Sequence, residues 1–257
     1  MKKKLFYLLL YFFAFLQSNA QNDAFWTLHN NNTNKIIETD KGVSRESFPK
    51  EFQLHALNLS QLRDVLFSSK SAVNGTRTII TLPNVNGQYE QFEVFEASNF
   101  EADLQAQFPE IRAYSGQGIT DKYATLKLSI SPQGIQTMVF RTDKPNEFIE
   151  PYSKDHTVYA VFKSNRTKGN LAWSCTTEDK NLITKVSEQI PASNFNKFND
   201  TTLRTMRLAQ SCNGEYANYF GASSAAQVGL VLAAFNATLT RCNGVYEKDL
   251  ALHLNLV

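Results

Sequence analysis

Three cysteines, Cys175, Cys212 and Cys242, are all that 257 residues carry. Such a count cannot staple a disulfide scaffold, and its oddness leaves at least one thiol unpaired or bonded outside the chain. Charge of one sign is lacking too: 26 basic residues stand against 24 acidic ones, a formal net of +2. No long-range field therefore recruits nucleic acid or an acidic surface. The four histidines, His29, His55, His156 and His253, stand singly, with no His-Glu pair and no two at helical ligand spacing. A histidine-based metal site is thus not legible in the chain. Past residue 20, no apolar run approaches the roughly 20 residues that a membrane-spanning helix needs.

What is present starts at the amino terminus. Lys2-Lys3-Lys4 precede an apolar run from Leu5 to Leu16, and Ser18-Asn19-Ala20 follow as small residues. That order predicts a secretory signal peptide over residues 1–20, and hence a secreted, extracytoplasmic protein. The whole chain of 257 residues is 42% hydrophobic, enough to build cores for one large domain or two ordinary ones.

From about Phe52 to Phe162 the pattern is one of short β-type runs between Gly, Pro and Asn turns, the signature of an antiparallel sheet. Thr78–Leu82 and Tyr89–Phe95 flank a Pro-Asn-Val-Asn-Gly turn and predict one hairpin; Tyr123–Ile130 and Ile135–Phe140, around Ser-Pro-Gln-Gly, predict a second. Phe148–Tyr152 and Thr157–Phe162 read as further strands, and Ser60–Phe67 and Phe100–Phe108 as short helices. Phe92, Phe95, Tyr123 and Phe140 read as core aromatics, a sugar-stacking platform being the alternative.

Between residues 163 and 200 Ser, Thr, Asn, Lys and Glu replace the alternation, which predicts an exposed linker. Beyond it, Leu203–Gln210 reads as a strand, and Ser224-Ala225-Ala226-Gln227 as a capping box that launches a helix. Val228, Val231, Leu232, Phe235 and Leu239 make one apolar stripe on that helix. Leu252, Leu254 and Leu256 alternate with polar or small residues on a second strand. Strand, helix, strand predicts a βαβ unit with parallel strands and a right-handed crossover.

Three segments of this region, Leu203-Arg204-Thr205-Met206-Arg207-Leu208-Ala209, Gly214-Glu215-Tyr216 and Arg241-Cys242-Asn243-Gly244-Val245-Tyr246-Glu247-Lys248-Asp249-Leu250, resemble the opening of the catalytic domain of bacterial reprolysin-like zinc metallopeptidases, of the metzincin clan. The resemblance implies an α+β protein: a signal peptide over 1–20, a β-rich antiparallel propeptide over 21–162, a linker over 163–200, and over 201–257 the first βαβ unit of an incomplete α/β catalytic domain. It implies zinc as the cofactor of the complete protein and peptides as its substrates. The family's H-E-x-x-H-x-x-G-x-x-H zinc motif does not occur in this chain, so no catalytic residue is carried over and this portion alone is expected to be inactive. The alternative expectation is a secreted, non-catalytic β-rich binding or adhesion module.

Related proenzymes block their zinc with a propeptide cysteine, and Cys175, in Leu171-Ala172-Trp173-Ser174-Cys175, stands where such a switch ligand would stand; a structural or disulfide-bonded thiol is the other reading. Cys212 and Cys242 are a candidate disulfide, although Cys212 lies just past the first strand and Cys242 far along a helix running back the other way, which tends to separate them. Glu215 and Tyr216 read as a turn that positions the helix, and Glu247, Lys248 and Asp249 as a solvated turn. His253 reads as packed or hydrogen-bonded on its strand.

Overall fold

The computed structural model describes residues 25–29, 49, 51–68, 77–164 and 202–257. The predicted signal peptide over 1–20 and nearly all of the predicted linker, with Cys175, lie outside the described residues.

The alternating runs form nine strands: β1 (Trp26–Leu28), β2 (Gln53–Leu57), β3 (Thr78–Pro83), β4 (Tyr89–Glu96), β5 (Arg112–Gly118), β6 (Thr125–Ser131), β7 (Gly134–Phe140), β8 (Glu147–Pro151) and β9 (Val158–Lys163). They make a single sheet in the order β1-β2-β9-β8-β7-β6-β5-β4-β3, with every neighbouring pair antiparallel. Hairpin β3–β4 pairs Thr78 with Val94, and hairpin β6–β7 pairs Ser131 with Gly134 across its turn. The two outer strands meet, since the Trp26 indole N–H on β1 donates to the Thr81 carbonyl on β3 at 2.9 Å. Twist has curled the sheet into a nearly closed barrel, which hides most of the edge that an open sheet would leave bare.

Inward-facing residues on alternate positions fill it, among them Ile80, Phe92, Val94, Tyr114, Leu126, Leu128, Ile149 and Tyr159. Helix α1 (Leu59–Ser68) plugs one end with Leu62 and Leu66, both fully buried, and the Tyr114 hydroxyl donates to the Leu66 carbonyl at 3.0 Å. At the opposite end the lining is charged. Arg141 donates to Glu90 at 2.6 Å, to Asp121 at 2.9 Å and to Glu147 at 3.1 Å. Tyr123 is not core: it is 76% exposed in the turn before β6.

After the short helix α2 (Ala102–Gln107) and the barrel strands come β10 (Arg204–Leu208), α3 (Gly214–Tyr219), a 3₁₀ turn at Ala225–Gln227, α4 (Val228–Leu250) and β11 (Leu252–Leu256). Strands β10 and β11 pair in parallel, Arg204 opposite Leu252 through Leu208 opposite Leu256. On its other edge β11 pairs with the barrel's own 99–101 segment, through Leu256 N–H to Asn99 O at 2.7 Å and Glu101 N–H to Leu256 O at 3.0 Å. The expected capping box does not form as read: Ser224 makes no capping bond, and the Gln227 amide oxygen instead accepts from the Ser223 N–H at 2.9 Å ahead of α4. Val228, expected on the buried stripe, is 44% exposed.

These facts correct the α+β expectation. The described residues are mostly β, a nine-stranded antiparallel, barrel-like sheet with few helices, and not an antiparallel propeptide followed by a βαβ unit that opens an α/β domain. The reason lies in α4, which is buried on two sides. Its stripe of Val231, Leu232, Phe235 and Leu239 packs with Phe100, Ile111 and Leu256. A second side of small and polar residues, including Asn236, Thr240 and Gly244, lies against the barrel wall. Counting large apolar residues at helical spacing detects the first side and misses the second.

Candidate interface between barrel and helix

The residues of interest gather where α4 and β11 cross the outer wall of β5, β6 and β7. Two kinds of contact hold that crossing.

The first is a buried amide network. Asn99 donates to Asn236 Oδ1 at 2.9 Å and to Thr240 Oγ1 at 2.7 Å, and its own Oδ1 accepts from Asn243 Nδ2 at 2.9 Å. Asn243 also brackets Leu254 of β11, accepting from its N–H and donating to its carbonyl, both at 2.9 Å. Asn236 Nδ2 donates to the Arg112 carbonyl of β5 at 3.0 Å. All four polar side chains are buried, so each bond is made where an unpaired amide would be costly.

The second is charged. Lys127 on β6 meets Glu247 on α4 at 2.5 Å and donates to Ser115 on β5 at 2.8 Å. The other oxygen of Glu247 accepts from His253 Nδ1 at 2.7 Å, and His253 Nε2 lies 3.0 Å from Asn255 Oδ1. Burial pushes the Glu247 carboxyl up, but the bonds from His253 and Lys127 outweigh it and hold the group below the ordinary carboxylate range. Nearly two helical turns before Glu247, Arg241 reaches Glu150 on β8 at 2.8 Å. Ser115, Lys127, Glu247 and His253 line an open groove of about 570 Å³ together with Phe95, Phe140 and Leu203. Gly244 lets the helix approach: a Cβ there would stand 2.6 Å from Phe140 Cε2 and 2.9 Å from Lys127 Cγ.

The geometry revises several expected roles. Glu247, Lys248 and Asp249 are not a solvated turn but the last turns of α4, and Glu247 is an anchor. His253 is hydrogen-bonded at the base of the groove. Glu215 lies in the first turn of α3, and Tyr216 packs at a tilt against Phe220 and Phe235 with ring centroids 4.9 and 5.5 Å away; burial, joined by the nearby Cys212, raises the Tyr216 hydroxyl above its ordinary range. Cys212 is exposed, Cys242 is half-buried, and both are free thiols. Sequence reasoning missed Lys127, Asn99 and Glu150. Of the three, Lys127 carried a signal, a long cation on the outward face of a predicted strand.

The charged cluster does not assemble a nucleophilic site. Lys127 directs its hydrogens at Ser115 and Glu247, which makes it a clamp rather than a base for the serine hydroxyl. Among the described residues no group of three or more His, Cys, Asp or Glu side chains could hold a metal. Comparison of the chain with protein-family models, with curated proteins and with solved structures finds no match.

Proposed function

We propose that this chain is the amino-terminal portion of a secreted zinc-dependent endopeptidase precursor, in which the barrel is the propeptide and residues 201–257 belong to the peptidase. Three sequence segments support the reading by their resemblance to that family, and one structural observation carries it. Beside the apolar contacts of Phe100 and Ile111, the barrel grips the 204–257 region through buried amides and ion pairs, a polar share that suits an interface between parts that can separate.

Two jobs follow for the barrel in this reading. By covering α4 and pairing 99–101 with β11 it supplies a template on which the peptidase segment folds, and by staying docked it maintains latency. Zinc belongs to ligands outside this chain, so no hydrolytic step is assigned to its residues. Cys175 is the proposed switch ligand; a Cys175→Ser precursor should activate itself faster, and an unchanged rate removes that role.

The experiment is to isolate the complete precursor from its natural gene and measure bound zinc and chelator-sensitive hydrolysis of a peptide substrate after activation. Stoichiometric zinc with chelator-sensitive hydrolysis is expected. A product with neither would instead be the secreted, non-catalytic β-rich binding module.

A further inference from the structure

His55 is fully buried at 0% exposure, and among the described residues neither ring nitrogen has a hydrogen-bond partner. It stands on β2 facing the barrel interior, in register with Tyr159 of β9. The Trp26 ring of β1 meets it edge-on at 6.5 Å and the Tyr89 ring of β4 edge-on at 6.0 Å. Those neighbours come from both sides of the seam: β1 and β2 form one margin of the sheet, β3 and β4 the other. The imidazole is thus wedged inside the line along which the barrel closes.

Among the described residues, none of the groups facing it offers a counter-charge. From β1 it sees an indole whose N–H is given to Thr81, from β9 the Tyr159 hydroxyl, which accepts from the Ile135 N–H, and from β4 the Tyr89 ring. Glu90, next along β4, is held by Asn84 and Arg141. Burial alone lowers the His55 imidazole from its ordinary value of 6.5. A protonated ring here would have two N–H donors and nothing to receive them, a state that proteins avoid by letting water in.

We propose that protonation of His55 opens the seam between β1 and β3, so that the barrel carries its own acid-triggered release. The seam is the weak wall, because β1 has three residues and sits at the margin of the sheet. The sign follows from linkage: the closed state holds fewer protons than the open one below the ordinary histidine value. Closure is therefore complete above about pH 6.5 and weakens by up to about tenfold per pH unit below it. This inference concerns the barrel alone and does not rest on the peptidase reading.

The test uses the full chain with Trp173→Phe, which leaves Trp26 as the sole tryptophan. Amide exchange, corrected for the intrinsic effect of pH, is followed between pH 7.5 and 5. Peptides spanning 25–29, 53–57 and 78–83 should exchange about tenfold faster per pH unit below the ordinary histidine value. Peptides over 125–140 should not, and Trp26 emission should shift to the red in step with the opening. His55→Leu should flatten both signals. Seam exchange independent of pH, or equally dependent in His55→Leu, would overturn the proposal. Should His55→Leu fail to fold, the His55 ring resonances of the unsubstituted chain decide: a midpoint below 6.5 that coincides with Trp26 exposure supports the trigger, and one at or above 6.5 overturns it.

Discussion

Asn99→Ala is the perturbation that interrogates the interface most sharply. The side chain makes three short bonds, to Asn236, Thr240 and Asn243. Its removal leaves the Asn236 Oδ1 acceptor and one Asn243 N–H unpaired in a buried place, while Thr240 keeps its bond to the Asn236 carbonyl and Asn243 keeps Leu254. Two orphaned groups at about 1–3 kcal/mol each give an expected loss of about 2–5 kcal/mol, allowing for some entry of water. In a chain of this size that lowers Tm by roughly 4–20 °C. Urea denaturation followed by circular dichroism measures the total, and amide exchange locates it, with protection lost first in α4 and β11. Ser68→Ala, which removes an exposed bond to Val65, is the control and should cost under about 0.5 kcal/mol. A loss below about 1 kcal/mol for Asn99→Ala, or one spread evenly over the barrel strands, would refute the reasoning.

Arg141→Met strands Glu90 and Glu147 in the barrel mouth without their cation, and should cost about 3–5 kcal/mol by chemical denaturation; adding Glu90→Gln and Glu147→Gln should restore part of it, and no recovery would show that the charges are not the cause. Gly244→Ala gains about 1 kcal/mol of helix propensity but forces a Cβ onto Phe140 and Lys127 at a cost of about 1–3 kcal/mol, so the variant should be neutral to destabilised and Gly244→Val clearly worse; a gain in Tm for valine would contradict the close approach. Because Glu247 is held below the ordinary carboxylate range, its contribution is present above that range and lost as pH falls through its folded value. Wild type and Glu247→Gln should accordingly differ most near neutrality and converge in acid, as read from Tm against pH, and a constant gap would count against the Lys127–Glu247–His253 cluster.

The hairpins were legible because each is local: a turn of Pro, Asn or Gly between two alternating runs suffices to place β3, β4, β6 and β7. Strand β5 was not, since Arg-Ala-Tyr-Ser-Gly-Gln-Gly looks like a loop. Its glycines answer to packing, as a Cβ on Gly116 would lie 2.7 Å from Val94 Cγ1 and one on Gly118 2.1 Å from the Asp121 carbonyl oxygen. The same holds for the end of α4, where Asn243-Gly244 mimics a turn and instead supplies a buried amide and a close approach. Closure of the barrel was beyond reach for another reason. It depends on pairing β2 with β9, Gln53 opposite Val161, and on the Trp26 to Thr81 bond, contacts between distant residues that no local period announces. Likewise Lys127 and Glu247 are 120 positions apart, so polarity alone suggested a solvated turn where the fold makes an anchor.

The central claim, that the barrel holds the peptidase segment latent through the Asn99 network, is tested most directly by the onset of hydrolysis. The complete precursor is cut between residues 165 and 201, and cleavage of a quenched fluorescent peptide is followed in wild type and in Asn99→Ala. The wild type should remain latent until its barrel dissociates, and the variant should become active at least about tenfold sooner, in a chelator-sensitive manner. Equal onset in both, or hydrolysis that begins at the cut without barrel release, would contradict the account.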